Sequence, residues 1–202
     1  MLRAVIVGFG NIGHAVLEAL LASADFEAAG VVSRSLAVGA LGDIPVVRDI
    51  EALPKPDVAI LCSPSRAVPD LAASLLEKGI CTVDSYDIHS SIYEVRQRLD
   101  AVAKAHGAAA VMSAGWDPGT DSMVRALLEA MAPKGITYTN FGPGMSMGHT
   151  VAVKAIPGVK NALSMTIPLG TGIHRRMVYV ELAEGYAFAD VAAAIKNDDY
   201  FK

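Results

Sequence analysis

An apolar run that ends in a Gly-x-Gly-x-x-Gly turn constrains this chain more than any other feature. Ala4-Val5-Ile6-Val7 leads directly into Gly8-Phe9-Gly10-Asn11-Ile12-Gly13, and an apolar helical pattern continues to about residue 24. A strand that turns on glycine into a helix opens a nucleotide-binding strand–helix–strand unit. Each glycine has its own task. Gly8 permits the tight turn, Gly10 lets the backbone approach a pyrophosphate, and Gly13 lets helix and strand pack closely. The helix beginning near Asn11 points its unpaired N–H groups and positive dipole end at the phosphates. A glycine turn that binds nothing is the alternative. The strand before it and the repeated strand–helix pattern after it favour a dinucleotide bound by Gly8, Phe9, Gly10, Asn11, Ile12 and Gly13.

The end of the second strand selects the dinucleotide. Glu27-Ala28-Ala29-Gly30-Val31-Val32 runs into Ser33-Arg34-Ser35. An NAD site places an acid there to bind the ribose hydroxyls, whereas an arginine accommodates a 2′-phosphate. This chain has no acid at that point and offers Arg34 between two hydroxyls. A hydrogen bond to a charged group contributes roughly 1.5–3 kcal/mol, and a decade of affinity takes about 1.4 kcal/mol, so Arg34 alone can favour NADP by about one to two orders of magnitude. A solvated loop arginine is the alternative.

Strand and helix patterns alternate through the first half. Strands are expected at 27–34, 44–47, 57–62, 79–84 and 108–112, with helices at 68–78 and 90–106. Such alternation predicts a doubly wound, Rossmann-type parallel sheet. The 52% hydrophobic content suits a sheet covered on both faces. The character changes after Gly115-Trp116-Asp117-Pro118-Gly119. A helix is expected at 120–131 and an alternating strand at 136–141, then a Gly- and Met-rich loop at 142–148. Alternating strands at 162–167 and 176–182 precede a helix at 188–196. The expected organisation is a dinucleotide-binding domain, 1–117, and an α+β substrate or dimerisation domain, 118–202, with few strands of its own.

Seventeen basic against 21 acidic side chains give a net charge of −4. No basic block stands out, so neither nucleic acid nor an anionic membrane is an expected partner. Asn, His, Gly or Pro interrupts every apolar stretch before membrane-spanning length. With its first strand at residues 1–8, the chain is expected to carry no secretory leader. Both cysteines, Cys62 and Cys81, lie in apolar strand segments. They are expected as buried, reduced thiols of a cytoplasmic protein.

In an open parallel sheet, ligands bind beyond the carboxyl ends of the strands. Three polar clusters fall there: Cys62-Ser63-Pro64-Ser65, Asp84-Ser85-Tyr86-Asp87-Ile88-His89, and Ser113-Ala114-Gly115-Trp116-Asp117-Pro118-Gly119. They should converge near the nicotinamide. Asp87 and Asp117 together would seat an ammonium group, hold a water or move a proton. Alternatively Asp84 or Asp87 caps the helix near residue 90, and Asp117 starts a Pro-Gly turn. His89, His149 and His174 lack metal-ligand spacing with one another and with the cysteines, so no metal site is expected. No nucleophile elbow is present.

These residues resemble the meso-diaminopimelate dehydrogenases. The resemblance rests on Gly8 to Gly13, Val83-Asp84-Ser85-Tyr86-Asp87-Ile88-His89 and Ser113-Ala-Gly-Trp-Asp-Pro-Gly-Thr-Asp-Ser122. It extends through Asn140-Phe-Gly-Pro-Gly-Met-Ser-Met-Gly-His149, Lys154-Ala-Ile-Pro-Gly158, Met165-Thr166 and His174-Arg-Arg176. It implies an NADP-dependent oxidative deamination at the D-centre of meso-diaminopimelate in lysine biosynthesis. Asp87 and Asp117 would hold the reacting amino group, with Trp116 beside them. Met147 and Gly148 would offer backbone N–H groups to the adjacent carboxylate. Phe141, Thr166 and Arg176 would line the far end, Arg176 gripping the distal carboxylate through its planar fork. Gly10 to Gly13, Ser33, Arg34, Ser35, Cys62, Ser63, Pro64, Ser65, Asp84, Ser85, Tyr86, Ala114 and Gly115 would contact NADP. A homodimer or larger assembly is implied. The family's chains continue past residue 202, with a His and an Asn for the L-centre end of the substrate. The implied alternatives are a non-catalytic NADP-binding module, or another reductase of this scaffold such as a dihydrodipicolinate reductase. The aspartate pair and Arg176 count against the latter.

Overall fold

The computed structural model describes residues 1–134, 144–170 and 173–201. The opening apolar run forms β1 (Leu2–Val7), in which Ala4, Val5 and Ile6 have no exposed surface. Val5 and Val7 enter one core cluster while Ala4 and Ile6 enter another, so the strand is covered on both faces. That is why it reads as a continuous apolar run and not as an alternating one.

From β1 the chain passes through α1 (Asn11–Ala22) to β2 (Phe26–Val32), β3 (Gly39–Leu41) and β4 (Ile44–Val47). It then returns to the other side of β1 for β5 (Val58–Leu61), α2 (Val68–Glu77), β6 (Cys81–Asp84), α3 (Ile92–His106) and β7 (Ala110–Val111). The sheet order is β3-β4-β2-β1-β5-β6-β7. Only β3 is antiparallel to its neighbour. The order reverses between β1 and β5, and such a switch point leaves a crevice at the carboxyl ends of the strands.

Helices cover both faces. Leu20 of α1 is buried with Ile6, Val31 and Val46. Opposite, α2 buries Val68, Ala72, Ala73, Leu75 and Leu76, a helical stripe that meets Leu99 and Ala103 of α3. Gly107, in the left-handed conformation at φ +64°, ends α3.

Two compact units divide the chain, Met1–Leu127 and Leu128–Lys202, and the division falls within α4 (Thr120–Met131). The second unit contains β8 (Gly144–Met145), α5 (Met147–Lys154), β9 (Val159–Gly170), β10 (Ile173–Leu182) and α6 (Phe188–Asn197). Its antiparallel sheet has the order β10-β9-β8. Ala152 and Val153 of α5 are buried as the helix packs on β9. The Ser164 N–H donates to Thr150 Oγ1 at 3.0 Å, tying strand to helix.

The structure departs from the sequence reading most clearly at β3 and over 142–148. β3 was not expected; it pairs with β4 as a hairpin across Gly42-Asp43, with Gly42 at φ +61°. The expected loop over 142–148 holds β8 and the first turn of α5 in its described part, 144–148. Gly144 and Met145 pair antiparallel with Thr166 and Met165. The expected strand at 136–141 lies outside the described residues.

Candidate active site

The glycine turn has two kinds of glycine. Gly8 sits at φ +95°, and a Cβ there would lie 2.6 Å from the Cys62 carbonyl oxygen. A Cβ on Gly13 would lie 2.4 Å from the Gly8 carbonyl oxygen. Protein packing therefore demands both. Gly10 is different: its φ of −94° suits any residue, and a Cβ would meet nothing within 4 Å. The fold leaves that space bare beside the start of α1, whose N-cap contributes no side chain to the free N–H groups. A pyrophosphate fits this cradle on geometry and on charge. Asn11 and Ile12 are exposed in the first turn, while the Phe9 ring stacks obliquely on His14 with centroids 4.1 Å apart.

At the end of β2, Ser33 is buried and its hydroxyl organises the turn. The Oγ accepts the N–H groups of Ser35 at 3.3 Å and Leu36 at 3.2 Å. Arg34 stands exposed on this turn, with no ion-pair partner among the described residues.

A chain of contacts links the other strand ends. Cys62 lies under Gly8, and the Ser63 hydroxyl donates to the Val7 carbonyl at 3.4 Å. The Ser65 hydroxyl, just past Pro64, donates to Asp87 Oδ1 at 2.5 Å, joining the β5 loop to the β6 loop. Asp84 Oδ1 accepts the N–H groups of Tyr86 at 2.9 Å and Ser113 at 3.1 Å, and the Ser113 hydroxyl donates to the Tyr86 carbonyl at 2.9 Å. Ser113 takes φ +58° to make this link. The Ala114 N–H donates to the Asp84 carbonyl at 2.8 Å, and a Cβ on Gly115 would come within 3.2 Å of Ser85 Cβ. Asp84 is only 3% exposed, and burial pushes its carboxyl above the ordinary carboxylate range against the downward pull of the two N–H groups. Its side chain thus ties β6 to β7.

Neither Asp84 nor Asp87 caps α3: its N-cap, Ser91, and the N-cap of the preceding short helical turn, Ile88, both lack a side-chain capping bond. Asp117 does start a turn, closed by Gly119 at φ +143°, where a Cβ would lie 1.9 Å from the Gly115 carbonyl oxygen. Its Oδ1 receives Arg125 Nη2 at 2.6 Å and the Ser122 hydroxyl at 3.4 Å. Arg125 Nε also reaches Asp121 Oδ2 at 3.0 Å. The sequence reading missed Arg125, although Asp121 and Arg125 show the i, i+4 spacing of a helical ion pair. Trp116 is 58% exposed, and its carbonyl accepts the Asp121 N–H at 2.8 Å.

In the second unit, Thr166 and Arg176 are cross-strand partners of β9 and β10, and Arg176 Nη1 donates to Thr166 Oγ1 at 2.9 Å. Met147 and Gly148 begin α5, where first-turn N–H groups lack intrahelical acceptors. The next helical turn is anchored by the Thr150 N–H on the Ser146 carbonyl at 2.9 Å. Phe141 lies outside the described residues. Cys62 and Cys81 are free thiols, and burial pushes Cys62 up to about 11. Among the described residues no group of three or more His, Cys, Asp or Glu side chains could hold a metal ion, and no helix is long and apolar enough to cross a membrane.

A parallel sheet that reverses at β1, a glycine cradle at its carboxyl edge and acidic loops beside it define an NAD(P)-dependent oxidoreductase. Residues 2–113 match the oxidoreductase family with an NAD-binding Rossmann fold, and residues 115–175 match the diaminopimelic acid dehydrogenase C-terminal domain. A meso-diaminopimelate D-dehydrogenase of Bacteroides fragilis is 66% identical over 202 residues, which cover 98% of this chain and 68% of that protein. Among solved structures, the Corynebacterium glutamicum diaminopimelate dehydrogenase in complex with diaminopimelate superposes with a TM-score of 0.82 at 31% identity, over 100% of this chain and 68% of that one. An engineered D-amino acid dehydrogenase bound to NADP+ gives a TM-score of 0.84 at 27% identity, over 99% and 68%. The chain belongs to the meso-diaminopimelate dehydrogenase family.

Proposed function

We propose that the protein catalyses the NADP-dependent oxidative deamination of the D-centre of meso-2,6-diaminopimelate, yielding L-2-amino-6-oxopimelate and ammonia, in lysine biosynthesis. One observation carries the reading: the loops that bear Asp87 and Asp117 share the sheet edge that holds the bare cradle at Gly10. When bound, NADP supplies the hydride acceptor for the D-centre carbon.

The chain's residues bind and orient. The α1 N-terminus receives the pyrophosphate, and Arg34 receives the 2′-phosphate. The loops carrying Cys62 to Ser65, Asp84 to Tyr86, and Ala114 and Gly115 hold the nicotinamide end. Asp87 and Asp117 would hold the amino group, which would fix the D-centre carbon for loss of its hydride, and Trp116 would shield it. Ser65 fixes Asp87 through the 2.5 Å hydrogen bond, so a cofactor loop also aligns the protein carboxylate that holds the substrate's amino group. Water then adds to the oxidised carbon–nitrogen bond, and ammonia leaves. The family resemblance assigns the N–H groups at Met147 and Gly148 to the adjacent carboxylate, and Phe141, Thr166 and Arg176 to the distal end. A cytoplasmic homo-oligomer agrees with the reduced cysteines and with the family.

Asp87→Asn tests these roles. Neutralising one carboxylate should raise KM for meso-diaminopimelate at least tenfold while the Kd for NADP stays within about twofold, since charged hydrogen bonds carry roughly 1.5–3 kcal/mol. Unchanged kinetics would remove Asp87 from the site.

A further inference from the structure

A second arginine converges on the turn that carries Arg34. Arg48 follows the last residue of β4, which runs parallel to β2 with Val47 opposite Val32. The Ser33 N–H donates to the Val47 carbonyl at 3.0 Å, and Arg48 Nη1 returns across the gap to the Ser33 carbonyl at 2.7 Å. The guanidinium therefore sits against the residue preceding Arg34. Like Arg34, Arg48 has no ion-pair partner among the described residues. The nearby acids are turned to other work or lie elsewhere. Asp49 Oδ1 accepts the Glu51 N–H at 3.0 Å, Glu51 pairs with Lys78 at 2.6 Å, and Asp43 lies at the opposite end of β4. One of five guanidinium N–H donors meets the Ser33 carbonyl, which leaves donors for a ligand.

We propose that Arg48 is a second specificity-determining residue for the 2′-phosphate. It braces the Ser33 turn and adds a second positive charge for a phosphomonoester dianion on the adenine ribose. This rests on the NADP reading above. Two planar guanidinium groups suit a phosphate better than one, because each presents a rigid pair of donors.

Calorimetric titration with 2′,5′-ADP and with 5′-AMP tests the inference without turnover. The wild-type protein should prefer 2′,5′-ADP. Arg48→Gln should weaken 2′,5′-ADP by about tenfold to a hundredfold, the weight of one charged hydrogen bond, and leave 5′-AMP within about twofold. Arg48→Lys, which keeps the charge without the fork, should fall between and remains the decisive variant if the glutamine protein does not fold. An equal loss for both nucleotides would reduce Arg48 to a structural brace, and no loss for either would overturn the inference outright. A wild-type protein without preference would instead overturn the NADP reading, and this inference with it.

Discussion

Gly10→Ala and Gly13→Ala separate two reasons for a glycine in the nucleotide turn. At Gly10 an added Cβ meets no protein atom within 4 Å, and φ is −94°. Restricting the unfolded chain stabilises by about 0.4–1 kcal/mol. A poorer N-cap opposes this by about 1 kcal/mol. The two nearly cancel, so the melting temperature of the cofactor-free protein should move by no more than about 4 °C. Gly13→Ala drives a Cβ to 2.4 Å from the Gly8 carbonyl oxygen, inside van der Waals contact. The resulting overpacking costs about 1–3 kcal/mol, a fall of roughly 2–12 °C. The order reverses for what each change does to NADP at equal stability. The Gly10 methyl occupies the cradle itself, so the phosphates lose contact with the first N–H groups of α1 and affinity falls at least tenfold. Thermal melting with and without NADP, together with calorimetry, reads both effects. A Gly10→Ala protein that binds NADP like wild type, or melts as low as Gly13→Ala without cofactor, would refute the argument.

Further outcomes follow from the loops. Arg125→Gln removes the cation shared by Asp117 and the mostly buried Asp121, and should raise KM for meso-diaminopimelate while leaving KM for NADP unchanged; steady-state kinetics with each substrate varied decides it. Burial raises the Asp84 carboxyl above its unfolded value of about 3.9, so the native state retains a proton that the unfolded chain releases. Wild-type stability should accordingly fall as pH rises through the window from that value to the raised one. Asp84→Asn should remove that slope in denaturant melts across the same window. With the Cys62 thiol raised to about 11, only about one in a thousand is ionised at about pH 8, and alkylation by iodoacetamide should be slow until the protein is unfolded.

The first unit was legible because its signals are local. A buried parallel strand is an unbroken apolar run, as at Ala4 to Val7, and the Gly8 to Gly13 turn encodes both its backbone and its packing. The β3–β4 hairpin escaped because β3 holds only Gly39, Ala40 and Leu41, too short to show a period. The turn at Gly42-Asp43 was its one signal. In the second unit, glycine and methionine around α5 resemble a loop, and pairing with β9 and packing of Ala152 and Val153 override that local preference. A motif such as the glycine turn can be read along the chain, whereas partners brought together by contact cannot. Arg48 reaches Ser33 across two strands, Arg125 reaches Asp117 over two helical turns, and Asp84 is a tie only because Ser113 folds back upon it. Of these, only Arg125 leaves a spacing to read, its i, i+4 pairing with Asp121; the others are set by which strand ends the sheet brings together.

The most direct test is NADPH formation by the purified protein given meso-diaminopimelate and NADP, with NAD and the L,L-isomer as controls. NADPH should form with meso-diaminopimelate and NADP, with one ammonia released per NADPH and little or no signal in either control. A folded protein that binds NADP but forms no NADPH would contradict the proposed activity and leave a nucleotide-binding module in its place.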